Sequence, residues 1–97
     1  MDLKDFKDSL SATAPPPDLS SALQALWYER KGDWKTAHDR LQGEGNSADA
    51  WVHGYLHRRE GDASNAAFWY RRAGKAMTRG AFEAEWENIT TALLAQA

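Results

Sequence analysis

The chain has no cysteine, which removes disulfides, thiolate metal sites and a cysteine nucleophile from consideration. No apolar run approaches the roughly 18–20 residues that span a bilayer, so no membrane partner is expected. The opening Met1-Asp2-Leu3-Lys4-Asp5 lacks the basic start and apolar stretch of a secretion signal, and a cytoplasmic location is expected. Glycine-flanked serines and phosphate-cradling glycine loops are missing, and no two carboxylates stand out as an acid–base couple. The expectation is therefore not an enzyme, with no cofactor. Strand-like alternation is lacking throughout. The net charge is only −2 and no nucleic-acid motif is present, so no nucleic-acid partner is expected.

What the chain does have is aromatic weight and helical spacing. Five tryptophans in 97 residues are enough to anchor one small core, since each buried indole removes on the order of 150–250 Å² from water. The same surplus favours a protein partner or a homo-oligomer, because rings left outside the core form contacts. Leu3, Phe6 and Leu10 predict a short amphipathic helix within residues 2–12. Residues 13–17, ending in three consecutive prolines, form a linker without amide donors at the prolines. The rest, 18–97, reads as one all-α domain. Asp18 is placed as the cap of a helix running to about Lys31, with Gly32 ending it. Asp33 caps a helix from Trp34 to about Gln42, closed by Gly43 and Gly45. Asn46 and Asp49 open a helix that stops at Gly61, and Asp62 caps one that stops at Gly74. A last helix, beginning near Ala81, carries Phe82, Trp86, Ile89 and Leu93 as one apolar stripe.

These helices repeat at an offset of 29 residues: Gly32 and Gly61, Asp33 and Asp62, Ala37 and Ala66, Gly45 and Gly74. Ala25 and Gly54 correspond upstream. Small residues on both arms predict two hairpins, with Ala25 facing Ala37 and Gly54 facing Ala66 so that the backbones approach closely. Over residues 19–75 the pattern resembles a tetratricopeptide repeat, carried by Ala25, Gly32-Asp33-Trp34 and Ala37 and by Gly54, Gly61-Asp62, Ala66, Tyr70 and Ala73. The spacing is shorter than that family's usual value of about 34. The resemblance implies stacked antiparallel helix hairpins capped by the C-terminal helix, with the short N-terminal helix beside them, in a protein-binding or scaffold module. Peptide-clamping members hold a carboxylate with Lys and Asn on the first helix of a unit. Here Ala22, Leu26, Trp51 and Tyr55 take those places, which implies an apolar or aromatic partner. The segments 51–62 and 68–74 are also similar to small bacterial proteins, a likeness that carries no activity with it.

Chemistry is sparser. His53 and His57 are four residues apart and share a helix face, a spacing that suits two metal ligands. His38 offers a third ligand from the neighbouring helix, and Glu60 lies about 10 Å beyond His53 along the axis. The preferred reading, however, is no metal. The two histidines flank the close-contact Gly54 and so point between helices, bonded to Asn65 or a backbone carbonyl, or stacked on Trp69. The same cluster can line a small-molecule pocket. Asn65, Trp69 and Arg72 share a face that suits a planar or anionic ligand, unless Arg72 pairs with Glu60 or caps carbonyls. Phe68, Trp69 and Tyr70 cover so wide an arc that their helix either lies centrally, the favoured placement, or exposes one ring. Residues 50–80 hold six bases against two acids, a local +4. This patch either meets an acidic partner or consists of solvated helix ends.

Overall fold

Helices start where a short polar side chain accepts from an otherwise free backbone amide. In the computed structural model, which describes residues 1–41 and 46–96, five of six helices begin this way. Asp2 caps α1 (Leu3–Ser9), Ser20 caps α2 (Ser21–Arg30), Asp33 caps α3 (Trp34–Asp39), Asn46 caps α4 (Ser47–Arg59) and Asp62 caps α5 (Ala63–Ala73). The sixth, α6 (Phe82–Gln96), follows a stretch without regular secondary structure. The fold class is all-α, with no strand among the described residues.

Two helix boundaries differ from expectation. Asp18 is not the cap of α2; it sits in the left-handed region at φ 66° and turns the chain as it leaves the prolines. The helix starts two residues later, where the Ser20 hydroxyl accepts from the Leu23 amide. In turn α3 ends at Asp39, short of Gln42. The expected stops at Gly43 and Gly45 lie outside the described residues.

The two Gly-Asp turns are built alike. Gly32 and Gly61 adopt φ 86° and 89°, values that favour glycine. The Asp33 amide donates to Tyr28 O and the Asp62 amide to His57 O, each at 2.9 Å. The matched bonds preserve the 29-residue offset. Each turn then hands its aspartate to the next helix as a cap, accepting from the Thr36 amide in one case and the Asn65 amide in the other.

α2 packs on α3 and α4 packs on α5, while α2, α4 and α6 meet in the centre and α1 lies on α6. Phe6, Leu26, Trp27, Tyr55, Leu56, Tyr70, Trp86 and Ile89 are buried together. Buried indoles find partners, as their N–H groups require: Trp86 Nε1 donates to Leu26 O at 3.0 Å, and Trp27 Nε1 donates to Ser9 Oγ at 3.1 Å. Ala25, Ala37 and Ala66 are fully buried. The group nearest Gly54 is Tyr70, for a methyl added at the glycine would lie 2.9 Å from the Tyr70 ring. Tyr70 is one helical turn beyond Ala66, on the same face of α5.

α5 does not lie centrally. Among the described residues its one extensively packed helix is α4, so Tyr70 is buried while Phe68 is 44 % exposed. Of the six bases in residues 50–80, Arg58 is half-buried, while Arg59, Arg71, Arg72, Lys75 and Arg79 are exposed. Arg58 donates to Glu85 at 2.8 Å and also to Gly80 O, Arg59 pairs with Glu29 at 3.3 Å, and the Lys75 amine sits 4.3 Å from the Trp51 ring. No helix among the described residues is long and apolar enough to cross a membrane.

Candidate metal centre

The helical rise fixes the first two members of the cluster. His53 and His57 are one turn apart on α4, and their rings stack with centroids 5.9 Å apart and planes at 12°. His38, on α3, meets both edgewise, at 4.9 Å from His53 and 5.4 Å from His57. One ring nitrogen from each lies within 4.8 Å of the others. Two indoles enclose the group: Trp69 lies flat on His53 at 4.1 Å, and Trp34 stacks on His38 at 5.0 Å. Trp34 is itself fixed, because its Nε1 donates to Leu56 O at 2.8 Å.

The electrostatics favour neutral rings at His53 and His38. Burial, followed by the neighbouring His38 and His57, pushes the His53 pKa down to about 4. Burial and then His57 also lower that of His38. A neutral imidazole keeps a lone pair for a metal. His57 Nδ1 lies 2.6 Å from Glu60 Oε2, an arrangement in which Nδ1 donates to the carboxylate and Nε2 is the ring nitrogen left for a metal. The Asn65 amide nitrogen is 3.5 Å from that Nε2.

His53 departs from a purely structural role. It is buried, and its Nδ1 is the one buried side-chain nitrogen or oxygen among the described residues that lacks a hydrogen-bond partner. Leaving such a group unsatisfied costs about 1–3 kcal/mol. The sealed, fully bonded cluster expected from the sequence is therefore incomplete at this atom.

Of the residues singled out in the sequence, His53, His57, Asn65 and Trp69 come together with His38. Arg72 adjoins them from outside, its guanidinium 5.7 Å from the Trp69 ring and 5.5 Å from Phe68. Trp51 and Tyr55 are elsewhere: Trp51 lies under Lys75, and the buried Tyr55 donates its hydroxyl to Glu29 at 3.0 Å. Sequence reasoning overlooked Trp34, although its spacing of four from His38 was a signal. It also placed Glu60 as a distant ligand or an arginine partner, whereas the carboxylate turns back one helical turn onto His57.

Two other titratable groups are internally satisfied. Burial raises the pKa values of Glu29 and Glu85, with Tyr55 and Arg59 opposing the shift at the first and Tyr70 and Arg58 at the second. A second possible donor set, His57, Glu60 and Asp62, is already committed, because Glu60 bonds His57 and Asp62 caps α5. No family model, curated protein or solved structure matches the chain.

Proposed function

We propose that this protein binds a divalent transition-metal ion through His38, His53 and His57. The observation that carries the proposal is the convergence of three imidazoles from two helices, each offering a nitrogen within 4.8 Å of the others. Three nitrogen ligands at ~2.0–2.1 Å from zinc in tetrahedral geometry are about 3.4 Å apart, so the rings need draw together by no more than about 1.4 Å. An all-imidazole set favours zinc, nickel, cobalt or copper(II) over magnesium or calcium, which take oxygen ligands. The Glu60–His57 bond supplies the outer carboxylate that ligating histidines commonly have. Similar Gly-Asp turns between α2 and α3 and between α4 and α5 support a tetratricopeptide-like hairpin scaffold. In this reading the scaffold holds an ion between its hairpins.

Titration of the chelator-treated protein with Zn²⁺, Ni²⁺ and Co²⁺ by calorimetry tests the proposal. One ion per chain is expected, with affinity lost when His38, His53 and His57 are all replaced by glutamine. Absence of saturable binding at micromolar metal refutes it. A protein partner is the second reading, favoured by Phe68, which is 44 % exposed beside the Arg72 guanidinium.

A further inference from the structure

We infer that the ion is a removable staple between the two helix pairs, so that metal occupancy governs whether α3 stays docked on α4. This rests on the metal-binding proposal and adds a consequence of where the ligands originate. His53 and His57 belong to the same helix, and an ion held by them alone ties together nothing that α4 does not already hold together. His38 is the ligand from another element. Its bond to the ion is the one that crosses from the first helix pair to the second.

α3 packs mainly on α2 and only thinly on α4, so its docking on α4 is where such a bond adds most. It has six residues, far below the ~12–15 at which an isolated helix becomes even marginal in water. Its side-chain hydrogen bond to α4 comes from Trp34, and its ring contacts to α4 come from Trp34 and His38. All four converge on the site or on the carbonyl of Leu56, immediately before His57. α4, in contrast, is held independently of the ion through the Gly54–Tyr70 contact and the Tyr55–Glu29 hydrogen bond. An ion therefore reinforces the thinnest helix–helix contact among the described residues, that of α3 with α4, and leaves the rest of α4's packing nearly unchanged. No electron transfer or bond cleavage is involved: three lone pairs are donated to a cation, and removing the cation restores free imidazoles.

Amide hydrogen exchange on the full chain, with and without Zn²⁺, tests the staple while calorimetry monitors binding in the same samples. The reporters are the Ala37 and Arg40 amides, bonded to Asp33 O and Thr36 O. At saturating Zn²⁺, α3 opening should become rarer by the factor by which the full site outbinds the α4 pair alone, up to roughly 100-fold at free Zn²⁺ of about 100 times the dissociation constant, and these amides should slow accordingly. Amides of α1 and α6 should change little. His38→Ala should still bind Zn²⁺ through the α4 pair, more weakly, without slowing α3. Binding with unchanged α3 exchange overturns the staple and leaves the metal site standing. The same conclusion follows if all helices slow equally, or if His38→Ala slows α3 as the unaltered protein does. Absence of binding overturns both proposals. His38→Gln, which keeps the side chain's bulk, repeats the comparison should His38→Ala lose its helical circular dichroism.

Discussion

Trp69 lies flat against His53, with centroids 4.1 Å apart and planes 12° from parallel. The indole covers one face of an imidazole that is only 6 % exposed, while His38 closes on it edgewise. A charge on His53 would thus form with little water around it and with other imidazoles near. The ring is held neutral by its surroundings, and this has a consequence for stability.

His53 has a folded-state pKa of about 4, against an ordinary value of 6.5. Between those values the unfolded chain binds more protons than the folded one, so stability rises with pH across that window. The contribution is complete above pH 6.5, declines as pH falls toward 4 and levels off below it. A shift of that size corresponds to about 3 kcal/mol. Urea unfolding of the metal-free protein at pH 7, 5.5 and 4, compared with His53→Gln, should show the difference between the two proteins changing by that order. A pH-independent difference would mean that His53 titrates as an exposed histidine does.

Glu60→Gln should weaken Zn²⁺ binding about 10–100-fold, as loss of an outer-sphere carboxylate commonly does. Glutamine still reaches His57 Nδ1 but offers a neutral oxygen in place of a charged one, so fold and helix content should stay as they are. Calorimetry paired with circular dichroism checks both halves. Unchanged affinity would assign Glu60 to the helix end alone.

Gly54→Ala should destabilise the protein by about 1–3 kcal/mol. In an open helix the same exchange gains roughly 0.5–1 kcal/mol from alanine's propensity. Here the added methyl meets the Tyr70 ring at 2.9 Å, and Tyr70 has little freedom to retreat because it is buried and donates to Glu85. Thermal unfolding of Gly54→Ala beside Ala25→Gly separates the steric effect from the propensity effect.

Much of this was readable from local chemistry. Helix ends marked by Gly32, Gly61 and Gly74 and caps at Asp33, Asn46 and Asp62 follow from conformational freedom and from free amides, both properties of a few adjacent residues. The His53–His57 pair and its two neighbours on α5, Asn65 and Trp69, followed from helical period. Asp18 misled because a capping side chain alone does not start a helix; the backbone there is left-handed. Phe68 is outward because α5 lies at an edge, which depends on how the other helices pack. Likewise Glu29–Tyr55 and Glu85–Tyr70 join residues 26 and 15 positions apart. No periodicity encodes such pairings; tertiary packing alone creates them.

The contact between α1 and α6 bears on how the protein is made. Phe6 rests on Trp86, their rings 5.8 Å apart, and Lys7 reaches Glu87, eighty positions along the chain, at 2.5 Å. On a ribosome, α1 is synthesised long before α6 and has to wait for it before it has this surface to bury against. The central hairpins emerge in between, and until α6 appears their apolar interior is uncovered on that side. Nascent chains halted before Trp86 should therefore be the most protease-sensitive and chaperone-dependent forms of this protein.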